Sequence, residues 1–230
     1  MDPRTLPPQQ LHLYEAIKNQ YKVAFEPLKI QGHQLQILKI QDLESLLQGK
    51  DPLNDVTTFP FWVRLWEAAL VLAEFVATVP KEPGTTLLEL GAGLGVPGLV
   101  AAAAGFKVTL TDFEELILDF ERINAAASKL EGVEVAKLDW LEPSELNRHD
   151  VIIGAEILFR DVFFEPLLEI LRRAIKPDGV IYLAHDSKRQ SLQPFLKMAE
   201  KEYTISVSRR RLKSFEDDKN ILLMRLKPRG

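Results

Sequence analysis

The sequence predicts an α/β fold built on a doubly wound, mostly parallel sheet of seven strands. Short apolar runs alternate with helical segments of about 10–15 residues, which is typical of strand–helix–strand units. The first apolar run of this series ends in a glycine-rich turn, and the chain closes with two strand-like segments that predict a terminal antiparallel β pair. A small extension precedes the regular pattern.

We divide the chain into an N-terminal extension, residues 1–58, and a main domain, residues 59–230. The elements predicted for the extension are a short helix at 11–19, two strands around Gly32 at 21–40, a helical turn or two at 42–48, and a loop at 51–55. The extension therefore reads as a β-hairpin with short helices on either side.

The main domain contains seven predicted strands and five predicted helices. The strands lie at 85–90, 106–111, 133–138, 150–155 and 180–185, followed by the terminal pair at 203–211 and 220–226. The helices lie at 65–79, 96–104, from a capping box at Thr111 and Glu114 to about 127, at 163–175 up to a turn at 176–179, and at 187–201.

Composition excludes several classes of function. The 230 residues include 29 Lys and Arg against 33 Asp and Glu, and the net charge of −4 does not favour a nucleic-acid partner. With no cysteine, disulfides, thiolate zinc sites, iron–sulfur clusters and a cysteine nucleophile are ruled out. The four histidines are scattered along the chain, so we predict no metal site.

The apolar stretches do not predict a membrane span. Residues 61–79 carry three charged side chains, and residues 87–106 are interrupted by Gly91, Gly93, Gly95 and Gly98. The first ten residues lack the apolar core of a signal peptide. We therefore expect a monomeric, cytoplasmic protein with no membrane partner.

The segment 89–95, Glu-Leu-Gly-Ala-Gly-Leu-Gly, joins a predicted strand to a predicted helix. Its glycines allow a tight turn and close approach of a ligand to the backbone, which predicts a site for a nucleotide-like ligand. The spacing of Gly93, Gly95 and Gly98, with Asp112 further on, also fits a dinucleotide fingerprint and leaves an NAD-binding alternative open. The carboxylate of Glu89 just before the turn favours a ligand with an ammonium and a sulfonium over a pyrophosphate. S-adenosyl-L-methionine has both groups.

Acids after the next two strands support this interpretation. Asp112 follows the second core strand, where a carboxylate can accept both ribose hydroxyls. Asp139 and Trp140 follow the third, where an acid and an indole can engage an adenine amino group and ring. Trp66, at the start of the preceding helix, is a further candidate for the same pocket.

With these residues assembled, the main domain resembles the class I, seven-β-strand methyltransferases with their Rossmann-like sheet. More narrowly, it resembles the protein-lysine methyltransferases of the methyltransferase-like-21 and electron-transfer-flavoprotein β group. The motifs that carry the resemblance are Phe-Trp and Leu-Trp at 61–66, the glycine turn, Leu-Asp-Trp at 138–140, and Gly-Ala-Glu-Ile-Leu-Phe at 154–159.

The resemblance implies a role for each matched residue. Glu89, Gly91 and Gly93 would line the methionine end of S-adenosyl-L-methionine, Asp112 would hold the ribose, and Asp139 the adenine amino group. Trp66 and Trp140 would surround the adenine ring.

Glu156 and Phe159 match the acid-x-x-aromatic motif beside the transferred methyl group, where Glu156 would orient an acceptor amine and Phe159 would wall the channel. The implied activity is N-methylation of a lysine side chain in a protein substrate. The asparagine-proline-proline-aromatic motif of adenine and glutamine methyltransferases is missing at this point.

Three alternatives stay open at this stage. A small molecule could replace the protein as acceptor, an NAD-linked oxidoreductase would use the glycine turn differently, and a methyltransferase-like binding subunit would lack catalysis. Two further features are weaker signals: the basic run 209–213 reads as a solvated hairpin, and His185-Asp186 has no serine partner for a triad.

Overall fold

The computed structural model describes residues 1–47, 60–143, 145–212 and 218–229. The predicted loop at 51–55, the boundary between residues 58 and 59, and Lys213 of the basic run lie outside the described residues. Within the described ranges, no helix combines the length and apolarity that crossing a bilayer requires.

The N-terminal extension forms the predicted hairpin between two helices. Its elements are the helix α1 (Pro8–Lys18), the antiparallel strands β1 (Val23–Ile30) and β2 (His33–Ile40), and the short helix α2 (Leu43–Leu47). The turn between the strands places both Gln31 and Gly32 in the left-handed region of φ. The hairpin and both helices of the sequence prediction are thus present.

A seven-stranded sheet forms the centre of the main domain, with the strand order β5-β4-β3-β6-β7-β9-β8. The strands are β3 (Thr86–Leu90), β4 (Lys107–Asp112), β5 (Val133–Lys137), β6 (His149–Ala155), β7 (Ile175–Asp186), β8 (Tyr203–Leu212) and β9 (Lys219–Pro228). The first five are parallel, and β9 pairs antiparallel with both β7 and β8. The predicted fold class and terminal β pair are confirmed.

Five helices cover the two faces of the sheet. They are α3 (Glu67–Val76), α4 (Val96–Ala103), α5 (Glu115–Ala127), α6 (Phe164–Ala174) and α7 (Leu192–Ala199). The side chains of β3 alternate between faces, so Leu87 packs in the core with α3, α4 and α5, whereas Leu88 and Leu90 pack with α6 and α7. Strands buried on both faces explain the nearly continuous apolar runs of the sequence.

The hairpin shares a core with the main domain. Leu35, Ile37 and Leu38 of β2 are buried in the same cluster as the side chains of α3, α4 and α5. The hairpin therefore packs directly on the helices of the main domain that cover one face of the sheet.

Two predicted details are wrong. The helix α5 begins after Glu114 without a side-chain cap, because the hydroxyl of Thr111 donates instead to the carbonyl oxygen of Glu89 at 2.6 Å. The strand β7 begins at Ile175, the last residue of the predicted helix, and runs through the predicted turn, because residues 176–179 lie opposite the single residue Asp150 of β6 as a bulge.

The order of the strands reverses between β3 and β6. Chain connections run outward from β3 to β4 and β5 on one side, and from β6 to β7 on the other. In open α/β sheets the crevice at such a switch point, beyond the carboxyl ends of the strands, is where ligands bind. The glycine turn after β3 and Glu156 after β6 both lie at this edge.

Candidate active site

The bend between β3 and α4 brings the helix close against the sheet. Gly91, Gly93 and Gly95 all have positive φ, of 60°, 58° and 74°. A Cβ on Gly98 would lie 2.3 Å from Cδ2 of Leu110 in β4, so only glycine lets α4 pack at this distance. The backbone of Trp62 covers the bend at Gly93, with its carbonyl oxygen 3.6 Å from the position of a Cβ there.

Glu89 supports this bend from within the core. Its side chain is 2% exposed and accepts a hydrogen bond from the backbone N–H of Gly98 at 2.7 Å. Burial raises the pKa of the carboxyl group to about 8, so it is mostly protonated at neutral pH. The carboxyl group turns inward, on the face of β3 that packs against α4, and its role at the methionine end stays a prediction.

Asp112, at the end of β4, ties the bend to the next strand. Its Oδ2 accepts the N–H of Gly93 at 3.0 Å, and its Oδ1 accepts the N–H of Phe113 at 2.7 Å. The side chain is only partly buried, and burial raises its pKa. This places an acceptor group at the rim of the glycine bend, where the sequence analysis predicts a contact with ribose.

Two buried polar residues of α5 were missed by the sequence analysis. Asn124 accepts the N–H of Leu38 in β2 at 2.7 Å and donates to the carbonyl oxygen of Leu94 in the bend at 3.1 Å. Glu121 is fully buried, neither of its carboxyl oxygens has a hydrogen-bond partner, and burial raises its pKa well above the usual range. Both are polar residues on the otherwise apolar face of α5, and this feature of the sequence could have indicated them.

Trp140 covers the other end of the bend. Its indole Cζ2 lies 3.1 Å from the position of a Cβ on Gly91, and the ring packs edge-on against Phe163, with the centroids 5.4 Å apart. The ring of Phe159 lies 6.3 Å away from it. The predicted adenine-side residue Trp140 and the predicted acceptor-side residue Phe159 thus belong to one aromatic cluster. Asp139 accepts the N–H of Leu141 at 2.9 Å.

Glu156 follows β6 in a strained backbone conformation. Its φ of +57° is unusual for a residue with a side chain, and such strain persists only where surrounding contacts enforce it. Its Oε1 accepts the N–H of Asp186 at 2.7 Å, its Oε2 accepts Nε–H of Arg189 at 2.5 Å, and the side chain is only 10% exposed. The neighbouring Ile157 has its Cγ2 3.2 Å from the position of a Cβ on Gly91.

A cleft of about 650 Å³ opens in front of Glu156. Phe159, which is 46% exposed, and Trp66 line the same cleft. The indole Nε1 of Trp66 donates to the carbonyl oxygen of Phe61 at 2.8 Å, and the Arg64 guanidinium stacks 4.7 Å from its ring. Trp66 therefore lines the cleft with Glu156, whereas Asp139 and Trp140 are not among the residues that line it.

His185, at the end of β7, lies behind Glu156 rather than in the cleft. It is fully buried, and its Nδ1 is 4.0 Å from Oε2 of Glu156. Burial lowers its pKa to about 3, so the imidazole is neutral at physiological pH. Its neighbour Asp186 lines the cleft. The two adjacent residues therefore face different environments: His185 lies in the core, and Asp186 faces the cleft.

The strand order, the switch point and the glycine bend define the class: the chain has the Rossmann-like fold of the class I methyltransferases. A solved S-adenosylmethionine-dependent methyltransferase from Agrobacterium tumefaciens aligns with a TM-score of 0.59 at 18% identity, covering 89% of this chain and 70% of that one. This likeness concerns the fold.

The family follows from the sequence. A profile of a family described as lysine methyltransferase matches residues 56–202, and the chain belongs to this family. It is therefore an enzyme that uses S-adenosyl-L-methionine as methyl donor, and the alternatives of an NAD-linked oxidoreductase and a non-catalytic subunit are set aside.

Two relatives carry different names. The protein N-lysine methyltransferase METTL21A of Xenopus tropicalis is 32% identical over 148 residues, 62% of this chain and 68% of that protein. The histone-arginine methyltransferase METTL23 of Mus musculus is 36% identical over 111 residues, 45% of this chain and 44% of that protein.

Proposed function

We propose that this enzyme methylates the ε-amine of a lysine in a protein substrate, with Glu156 holding the acceptor in the cleft. The observation that carries the proposal is that Cγ2 of Ile157, the residue after Glu156, lies 3.2 Å from the position that a Cβ on Gly91 would take. This brings the segment that follows β6 close to the glycine bend of β3, and we therefore expect an acceptor at Glu156 to meet a ligand lying over that bend.

The residues around the bend fit S-adenosyl-L-methionine. Gly91 and Gly93 present backbone without side chains, and Asp112 offers a partly exposed carboxyl group with lone pairs left for ribose hydroxyls. Asp139 and Trp140 are the residues we assign to the adenine. When bound, the cofactor supplies a sulfonium methyl: the acceptor lone pair forms the N–C bond, sulfur keeps the pair of the broken S–C bond, and nitrogen loses a proton to solvent.

The chain's own residues then have to present a neutral amine. Removing the proton of a lysine at pH 7 costs about 4–5 kcal/mol from its ordinary pKa. Glu156 can accept a hydrogen bond from the amine and fix the direction of its lone pair, which is positioning catalysis. The ring of Phe159 lines the cleft, and we assign it to the wall beside the acceptor nitrogen.

The test is a Glu156→Gln variant, with Glu165→Gln as matched control because Glu165 is an exposed acid of α6 that does not line the cleft. We expect transfer of tritiated methyl groups into lysate proteins to fall about a hundredfold, a usual size for losing such a group, while calorimetry finds S-adenosylhomocysteine binding preserved. Unchanged transfer in Glu156→Gln, or label found outside protein lysine, would contradict the proposal.

A further inference from the structure

The acid that we assign to the acceptor already has a cation from its own chain. The Nε–H of Arg189 lies 2.5 Å from Oε2 of Glu156, and the guanidinium lines the cleft. Arg189 lies in the loop between β7 and α7, and its side chain is about a third exposed. The pair is therefore at the open side of the acceptor position.

This contact limits what Glu156 can still bind. A carboxylate has about four lone-pair positions, and here one oxygen accepts the N–H of Asp186 while the other accepts Arg189. A compact lysine amine needs one remaining lone pair. An arginine guanidinium prefers to engage both oxygens with its planar fork, and each of the two oxygens already accepts a hydrogen bond.

Charge works in the same direction. An arginine acceptor stays protonated at every physiological pH, so it would enter beside a second guanidinium and be repelled. A lysine arrives as an ammonium and is repelled as well, but the neutral amine that it becomes before methyl transfer is not repelled. The cations Arg64, Lys188 and Lys219 also line the cleft. Arg64 stacks on Trp66 and pairs with Glu67, whereas Arg189 pairs with Glu156.

We propose that Arg189 is a specificity-determining residue that restricts this enzyme to lysine by occupying the place on Glu156 that an arginine acceptor requires. The inference rests on the proposed function and names the acceptor class of the same site. It matters because a relative of this chain is named as an arginine methyltransferase. Methylation of a lysine and of an arginine would transfer the same methyl group and release one proton to solvent, and the two reactions differ only in the acceptor nitrogen.

The experiment compares wild type, Arg189→Gln and Arg189→Lys, with Arg160→Gln as control because Arg160 is an exposed cation that does not line the cleft. Each protein is incubated with tritiated S-adenosylmethionine and lysate proteins, which are hydrolysed and separated into methyl-lysine and methyl-arginine. In Arg189→Gln we expect the methyl-arginine fraction to rise at least about tenfold. In Arg189→Lys and Arg160→Gln we expect the wild-type ratio.

The outcomes separate the two proposals. If wild type labels arginine, the proposed lysine acceptor fails. If wild type labels lysine and Arg189→Gln binds S-adenosylhomocysteine with an unchanged ratio, only the role of Arg189 is overturned. Should Arg189→Gln not fold, Arg189→Met keeps the length of the stem and takes its place.

A measurement on the wild-type chain tests the same inference without a variant. Nα-acetyl-lysine methylamide should inhibit labelling of the lysate at a concentration at least about tenfold lower than Nα-acetyl-arginine methylamide. Equal inhibition by both probes would overturn the role of Arg189.

Discussion

Glu89 and Asp112 lie on neighbouring strands and use their carboxyl groups in opposite directions. Glu89 points into the core and holds the start of α4, whereas Asp112 lies at the rim and holds the bend from outside. Burial raises both pKa values, and only Asp112 keeps an accessible face. Of the two acids, Asp112 is the one whose carboxyl group lies partly exposed at the rim of the bend.

Replacing Asp112 with Asn should weaken cofactor binding. The amide keeps one acceptor oxygen for the bend but loses the second acceptor and the charge that strengthen hydrogen bonds to hydroxyls. We expect the Kd of S-adenosylhomocysteine, measured by calorimetry, to rise at least about tenfold. Glu114→Gln, an exposed acid two residues on, serves as control, and equal affinities in both variants would argue against the ribose assignment.

The individual site residues were predictable to different degrees. Glu156 and Phe159 were found from a local motif, and the structure places both in one cleft. Arg189 was missed because it lies 33 residues from Glu156 and its segment was predicted as part of a helix at 187–201, whereas α7 begins at Leu192. The inward direction of Glu89 could have been read from strand alternation with Leu87, which shares its face.

At the level of elements, the hairpin is fastened to the bend through α5. Asn124 links the backbone of Leu38 to that of Leu94, and Ser128 accepts the N–H of Gln36 at 3.0 Å. The sequence predicts the hairpin from its turn and alternation but carries no local sign of these contacts, which join residues about 90 positions apart. The packing of the hairpin on α5 therefore could not be predicted from the sequence alone, because it depends on these distant pairs.

An Asn124→Ala variant should loosen both the hairpin and the bend. It leaves the N–H of Leu38 and the carbonyl of Leu94 buried without this partner, which costs about 2–4 kcal/mol in the free energy of unfolding. Urea denaturation measures the loss, and calorimetry should find weaker binding of S-adenosylhomocysteine. Ser128→Ala, at a less buried contact, should cost about 1 kcal/mol and leave binding intact.

If Asn124→Ala lowered stability and left cofactor affinity unchanged, the link through Leu94 would be structural only.

The ends of the helices and strands were the least predictable feature, because they also depend on contacts between residues far apart in the sequence. The bulge in β7 and the uncapped start of α5 depend on partners in other strands, and Thr111 donates to β3 instead of capping its own helix. Rules for helix capping consider only neighbouring residues, so they could not predict that Thr111 would bond to another strand.

At the scale of the whole molecule, the doubly wound sheet was predictable because its strands are buried on both faces. The central strands β3, β6 and β7 carry nearly continuous apolar runs, and the intervening helices show one apolar face, so the alternation survives in the sequence. The two cores it produces enclose ionisable groups as well. Glu89, Glu121 and His185 are all buried, and burial shifts the pKa of each toward its neutral form.

These groups predict a pH dependence of stability. The raised pKa of Glu89, about 8, means that the unfolded chain loses this proton near pH 4.5 and the folded chain near pH 8, so stability falls as pH rises between them. Glu121 acts in the same direction. The lowered pKa of His185, about 3, makes stability fall as pH drops below its ordinary value of 6.5.

The free energy of unfolding should therefore be higher at pH 6.5 than at pH 8, with a slope of up to about 1.4 kcal/mol per pH unit from Glu89 alone. Urea titrations at the two pH values measure it. Glu89→Gln keeps an acceptor for the N–H of Gly98 and should flatten the slope. The same slope in Glu89→Gln as in wild type would assign the effect to other groups.

The placement of the indoles has a practical consequence. The chain contains three tryptophans, and they surround the site: Trp62 at one end of the bend, Trp140 at the other, and Trp66 on the wall of the cleft. The protein thus carries its own optical reporter. Intrinsic emission excited near the indole band should respond to filling of the bend and of the cleft, and ligand titrations can be followed without any attached dye.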